Sequence, residues 1–315
     1  MSLHVNKIAE LNGHQGSVYT LEEAMEPQLI FSGSSDRAAA LWDLNKNEPT
    51  GFGAHFPAIV FSLCYIHENN LLLAGTSSGS LHVIDLNKKE EIKILQLTEP
   101  GTNQHIPGIF DIKFHQPKGE VYCAGGDGSL SVCDLGSLKL VKMKRLCTEK
   151  VRSIEINAKK NEIVVGCGDG TIHVFELDSH KEKVKFDAHK LSVNAAVYTP
   201  SGKYLISGGR DAHLRVWDAE DSFKLAKVIP AHNFAVYSIV FSPDGKYFAT
   251  ASRDSSIKIW DTVSFELIKV INKEKFQSHK SSINKLLWST YKNQLISSGD
   301  DRNIMVWEVK EEQDR

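Results

Sequence analysis

No apolar run in this chain approaches the ~20 residues that a membrane-spanning helix requires. The opening residues, MSLHVNK, carry no secretory apolar core. A net charge of −2 supplies no global basic field that would recruit nucleic acid or an anionic membrane. Cysteine is sparse. The five residues are odd in number and form no Cys-x-x-Cys pair, which implies free thiols in a reducing, cytoplasmic setting. No His-Glu-x-x-His and no paired-cysteine spacing marks a metal site, so neither metal nor cofactor is expected. The remaining composition, 41% apolar and 24% charged, is that of an ordinary soluble globular chain.

What is present is repetition. A Val or Ile stands at Val18, Val60, Ile109, Val151, Val193, Val236 and Ile283, and each is followed 24 residues later by Trp42, Ile84, Cys133, Phe175, Trp217, Trp260 and Trp307. A fixed internal length at a period of 42 to 49 residues marks a repeat architecture. The repeats run from near residue 10 to near residue 309, so residues 1–315 read as one domain of seven units, with a frayed acidic tail at 310–315.

The fifth unit shows the content of one repeat. Val193–Tyr198 is an apolar and aromatic segment, followed by a Pro200-Ser-Gly202 turn. Tyr204–Ser207 is a second short strand, and Leu214–Trp217 alternates with period two. Lys224–Ile229 is a fourth strand, and nothing in the unit sustains helical periodicity. Such a meander cannot bury both faces alone, so copies stack radially into a seven-bladed β-propeller of four-stranded antiparallel blades, an all-β fold. The last unit ends after its third strand. The segment Val5–Leu11 is therefore expected to pair with Ile304–Val309 and close the ring, leaving no open sheet edge.

These residues resemble the WD40 repeat family over almost the whole chain. The signature pairs are Gly13-His14 with Trp42-Asp43, Ala188-His189 with Trp217-Asp218, Ala231-His232 with Trp260-Asp261, and Ser278-His279 with Trp307-Glu308. The resemblance implies a buried hydrogen-bonded tetrad in each good blade. The sets are His14, Ser32, Asp36 and Trp42; His189, Ser207, Asp211 and Trp217; His232, Thr250, Asp254 and Trp260; and His279, Ser297, Asp301 and Trp307. A Ser/His/Asp set can suggest a catalytic triad, but four identical active sites in one chain are implausible, so the tetrads read as structure. Units two to four depart from the pattern. Unit two keeps His55 but has Ala74, Ser78 and Ile84; unit three has His105, Cys123, Asp127 and Cys133; unit four has Cys147, Val165, Asp169 and Phe175. Apolar packing is expected to hold those blades.

Several motifs invite chemistry and are better read otherwise. Gly75–Gly79 fits Gly-x-Ser-x-Gly but lies between two strands, not before a helix. Gly166–Gly170 looks phosphate-cradling, yet no helix follows it. His82 and His173 occupy a position filled elsewhere by Ser131, Arg215 and Lys258, so they read as ordinary strand residues. Lys139–Arg145 is basic but falls on an outer strand with no interleaved aromatic.

In proteins similar to this one, partners dock on the face around the central channel. Three positions per unit are expected there: the residues either side of the repeated aliphatic and the residue before the tetrad Asp. Tyr19, Phe61, Phe110, Arg152, Asn194, Tyr237 and Asn284 follow the aliphatics; Ile59, Gly108 and Lys150 are among those that precede them; Arg210, Arg253 and Asp300 precede the Asp. Consecutive aromatics and arginines are interface anchors. The expected partner-binding set is Tyr19, Phe61, Phe110, Arg152, Tyr237, Arg210 and Arg253. The connection from Ile84 to Ile109 is 25 residues, against 18 or 19 in four others, and the extra loop Thr98–Gly108 is expected beside Phe61 and Phe110. The stretch 272–277 lengthens a second connection. The resulting expectation is a non-enzymatic, non-membrane scaffold for a protein or peptide partner, monomeric alone. Three alternatives stay open: a reader of phosphorylated or acidic motifs, or of nucleic acid, through the Arg set; a structural subunit of a multiprotein complex; and an enzyme using the central funnel, which would require several inward carboxylates where Asp300 is the one visible.

Overall fold

The computed structural model describes residues 3–98 and 107–312 and forms seven four-stranded antiparallel sheets. Blade one is built from Val18–Glu23, Leu29–Ser34, Ala38–Asp43 and Glu48–His55. Blade five is built from Val193–Tyr198, Tyr204–Gly209, His213–Asp218 and Lys224–Pro230. The first strand of blade one packs on the first strands of blades two and seven, Val60–Ile66 and Ile283–Trp288, so the ring is closed. Leu3–Leu11 completes blade seven, pairing antiparallel with Ile304–Glu311 from Leu3 opposite Glu311 to Leu11 opposite Ile304. That strand reaches past the expected start of the tail: Lys310 faces His4, and Glu311 accepts hydrogen bonds from Lys246 Nζ and Tyr247 Oη.

The repeated aliphatic has a packing reason. A Cβ added to Gly33 would sit 2.6 Å from Val60 Cγ1, and Gly166 and Gly208 stand in the same relation to Val193 and Val236. The aliphatic thus wedges against a small residue of the preceding blade, and any larger residue would push the blades apart. Val18, Val60, Ile109, Val151, Val193, Val236 and Ile283 are all fully buried.

Two repeated devices shape one end of the ring. The residue after the tetrad Asp position has a left-handed backbone in every blade: Arg37, Gly79, Gly128, Gly170, Ala212, Ser255 and Arg302. Each first strand also carries a register shift across the residue that follows the aliphatic, for example between Val18 and Thr20 and between Val151 and Ser153. A bulge leaves one residue unpaired and re-aims its side chain.

One assignment is corrected. His55 ends the exposed outer strand of blade one, opposite Ala38, and does not enter blade two. The position four residues before the aliphatic belongs to Phe56, which is buried, donates its N–H to the Arg37 carbonyl, and packs edge-on against His82 with ring centres 5.2 Å apart. An apolar ring there needs no polar partners, which agrees with Ala74 and Ile84 in the other slots. His105 and most of the Thr98–Gly108 loop, residues 99–106, lie outside the described residues, as does the tail at 313–315. The second long connection forms a short helix, Lys273–Phe276, whose first turn is capped by the Asn272 side chain accepting from Lys275 N–H.

Candidate functional site: the channel mouth

The tetrad residues meet as four separate sets. In blades one, five, six and seven the indole N–H donates to the Ser or Thr hydroxyl at 2.7–2.9 Å. That hydroxyl lies 2.7–2.9 Å from His Nε2, and His Nδ1 lies 2.8–3.0 Å from the Asp carboxylate. Indole can only donate and carboxylate only accept, so the donor order runs from Trp through the hydroxyl and His to Asp. Burial would raise Asp211 and Asp254, but hydrogen bonds from His189 and His232 hold both well below the usual carboxylate range. Burial also lowers the pKa of His189 and His232, keeping the imidazoles neutral. The four hydroxyls are fully buried. These sets sit inside the sheets, and nothing about them offers a substrate approach.

The channel mouth is different. Tyr19, Phe61, Phe110, Arg152, Asn194, Tyr237 and Asn284 are the bulged residues, and each is half-exposed. All seven line one cavity of about 720 Å³ along the ring axis. A backbone hydrogen bond of 2.7–3.0 Å in every blade ties the residue before the Asp position to the residue before the aliphatic, such as Gly168 N–H to Lys150 and Arg210 N–H to Ser192. The three loop positions named from the sequence are therefore held together on one face.

Within that face the residues divide. Tyr19 meets Phe61 edge-on at 5.5 Å, and Phe61 stacks on Phe110 at 4.9 Å with planes 15° apart. Arg152 and Lys150 lie over the Phe110 ring at 4.8 and 5.0 Å. A row of four blades is continuous, and its rings pack on each other along the cavity wall. Gly108, at φ +96°, passes this row so closely that a Cβ would lie 3.3 Å from Phe61, so the described end of the long loop does border the aromatics. Tyr237 lines the same cavity and acts electrostatically on Arg152, as does Arg210. Burial lowers the Arg152 pKa from its usual value, with Tyr237 opposing and Arg210 adding to the shift. Arg210 and Arg253 are exposed outside the cavity lining, and Arg253 stands over Phe234 at 5.9 Å. Asn194 and Asn284 bridge blades instead, donating to the Val236 and Val18 carbonyls.

Sequence reasoning missed two groups. Phe234 and Leu191 are 56% and 48% exposed, two residues before the aliphatics of blades six and five. Their signal was a large apolar side chain in a loop position that other units fill with Gly16, Ala58, Pro107, Glu149 or Ser281. The second group corrects the expectation that Asp300 is the one inward carboxylate. Glu22, Asp111 and Glu155 line the channel with Lys113 and Lys285. Glu22 accepts the Tyr65 N–H, Asp111 the Ile154 N–H, and Glu155 the Tyr198 N–H, so each caps the inner strand edge of the next blade. Burial raises Glu22 to about 7 against the opposing pull of Lys113 and the Tyr65 N–H. Their signal was charge on the first strands: Glu22 and Glu155 stand where other units have Val197, Val240 and Leu287, and Asp111 stands where others have Thr20, Ser62, Ser153 and Ala195.

Comparison with known proteins places the chain among repeat propellers. The family model described as "WD domain, G-beta repeat" matches residues 5–43, 223–261 and 271–308. A model described as "NUP159/214 beta propeller" matches residues 54–217. The chain is 20% identical to periodic tryptophan protein 2 of Saccharomyces cerevisiae over 68% of its own length and 26% of that protein. It is 25% identical to small ribosomal subunit protein RACK1 of Neurospora crassa over 67% of its length and 68% of the relative's. It is 20% identical to eukaryotic translation initiation factor 3 subunit I of Drosophila sechellia, over 70% and 86%. The chain thus spans about a quarter of the periodic tryptophan protein that it matches.

Proposed function

This chain belongs to the WD40-repeat β-propeller family, and from that premise we propose that it is a non-catalytic scaffold that docks a protein or peptide segment on the face around its central channel. The observation that carries this reading is the continuous half-exposed row Tyr19–Phe61–Phe110–Arg152. An apolar or aromatic side chain of the partner lies against the exposed ring edges. Arg152, Arg210 and Arg253 receive an acidic or C-terminal carboxylate group, with Tyr237 on the opposite wall. Arg152 rests on an aromatic face and has no carboxylate partner among the described residues, so its charge is offered to a partner. The reading invokes no cofactor and no catalytic group. The channel carboxylates are spent on backbone N–H groups and lysines, which is a structural use of charge. The names of the relatives, a ribosomal subunit protein and an initiation-factor subunit, fit a scaffold or complex subunit working inside the cell.

The test is partner capture from the native source by wild-type chain and by the Phe61→Ala/Arg152→Ala double variant. Removing two central anchors is expected to weaken binding about 30-fold or more, the equivalent of ~2 kcal/mol. Unchanged capture by the double variant rejects this face. The anion-reading alternative rests on the like-charged group Lys150, Arg152 and Arg210. It predicts that binding falls steeply with salt, whereas docking on the aromatic row does not.

A further inference from the structure

Blade four lacks the imidazole of the complete blades, and sulfur occupies its place. Cys147 stands at the His position, four residues before Val151, and Cys167 stands two residues before Asp169, where blade five has Gly209. A Cβ on Gly209 would strike the His189 ring, so a side chain at this position points into the space of the imidazole. In blade four, the Sγ atoms of Cys147 and Cys167 and a carboxylate oxygen of Asp169 accordingly lie within 4.8 Å of one another. Asp36, Asp211, Asp254 and Asp301 each accept from a His Nδ1. The bonds of Asp169 run from Thr171 N–H and Oγ1, both to the same oxygen, leaving Oδ2 without that partner.

A second observation lies beside the cluster. His173 is 3% exposed; its Nδ1 lies 3.4 Å from the Glu182 carboxylate without a well-formed hydrogen bond, its Nε2 has no partner among the described residues, and Glu182 and Asp169 are among the charges acting on it. Its counterpart in blade five, Arg215, reaches both His189 and Asp211.

We propose that Cys147, Cys167 and Asp169 form a binding site for a thiophilic divalent cation of the zinc class, seated where the imidazole is missing. Two thiolates and a carboxylate are a soft, anionic donor set suited to such an ion. Tetrahedral zinc, with bonds of ~2.3 Å to sulfur and ~2.0–2.2 Å to oxygen, needs its ligand atoms roughly 3.5–3.8 Å apart, a contraction of at most about 1.3 Å from the present spread. Each thiol gives its proton to solvent as its sulfur bonds the ion, so two protons leave per ion bound. The fourth position is open to water. The strand that starts at Val151 carries Arg152, and the loop from Cys147 carries Lys150, so the ion anchors the base of the channel-mouth row; the site stands whether or not that row docks a partner.

The test uses the full chain, reduced and stripped of metal, titrated with zinc against a chromophoric chelator and separately with cobalt(II). One ion per chain is expected, with two protons released and a thiolate-to-cobalt charge-transfer band. Cys147→Ser and Cys167→Ser weaken binding at least about 100-fold, and Asp169→Asn at least about 10-fold. Cys123→Ala, which removes a buried thiol of blade three, leaves the affinity unchanged. Circular dichroism of each metal-free variant matching the parent keeps a loss assignable to ligation, and Cys147→Ala serves where the Ser variant does not match. Zinc affinity no greater than that of a Cys147→Ser/Cys167→Ser variant, a cobalt complex without the charge-transfer band, or a Cys147–Cys167 disulfide that resists thiol reductant overturns the proposal.

Discussion

Blades one, five, six and seven and blades two, three and four share a backbone plan but are held together by different physics. The first group links its turn to its core through a chain of hydrogen bonds from Trp to Asp. The second packs Phe56, Ala74, Ile84, Cys123, Cys133, Val165 and Phe175 into the same volume, each of them buried. The left-handed turn residue follows the same division. Blades two to four use Gly79, Gly128 and Gly170, whereas the tetrad blades hold Arg37, Ala212, Ser255 and Arg302 at φ 65–71°. A non-glycine residue there costs of order 1–2 kcal/mol. It persists where the Asp fixes the turn from several sides: Asp254 accepts from His232, from Asn233 N–H, and from Ser256 N–H and Oγ. Asp127 accepts from Ser129 alone among the described residues, and its blade supplies glycine. Hydrogen bonding thus substitutes for conformational freedom.

The largest expected effect is at the carboxylates. Asp254→Ala removes the charged acceptor of the His232 Nδ1–H, the Asn233 N–H and the Ser256 donors, bonds worth about 1.5–3 kcal/mol each, and should cost the most in urea unfolding. Asp127→Ala removes one turn cap and should cost about 0.5–2 kcal/mol. Equal costs would mean the tetrad adds nothing beyond the turn. Next comes Ser207→Ala, which orphans the Trp217 N–H and the His189 Nε2 and should cost about 1–3 kcal/mol.

The turn residues give a smaller, two-sided contrast. Gly170→Ala places a Cβ against the His189 carbonyl at φ +90° and should destabilise by more than about 1 kcal/mol. Ala212→Gly exchanges relieved strain for lost chain stiffness and should stay within about 1 kcal/mol of the parent. A large effect at Ala212 and none at Gly170 would reverse the assignment of strain.

The smallest effects are read from pH. Asp211 and Asp254 have depressed folded-state pKa values, so their stabilisation is complete above the unfolded carboxylate range and is lost as pH falls through the folded values. His189 and His232 are also depressed, so their contribution is present above the unfolded value of 6.5 and is lost as pH falls through the folded values. Glu22 runs the other way. Raised from 4.5 to about 7, its contribution is full below 4.5 and is lost as pH rises through about 7. Glu22→Gln keeps an acceptor for Tyr65 N–H, so its stability relative to the parent should rise between pH 4.5 and 8. A gap that is flat with pH would show that Lys113 and Lys285 already neutralise the carboxylate.

Much of this was legible in one dimension. The spacing from Val193 to Trp217 named the strands of blade five to within a few residues, and Val5–Leu11 does pair with Ile304–Val309. The channel-mouth positions were found because each follows a repeated aliphatic, and every one is a bulged residue. The errors came where a single residue type was trusted over register. His55 attracted the His slot although the spacing to Val60 selects Phe56. Glu22, Asp111 and Glu155 were passed over because a strand's inward face is known only once the ring is closed.

Sequence alone settles the repeat, its strands and its closing pair, because every contact within a blade joins segments adjacent along the chain or alike in register. It leaves open whatever depends on two blades meeting or on a side chain's direction after a bulge. The stacking of Phe61 on Phe110 and the capping of one blade's strand by the preceding blade's carboxylate belong to that second class. Spacing repeats in a meander, but the distance between side chains from separate turns is set by packing in three dimensions.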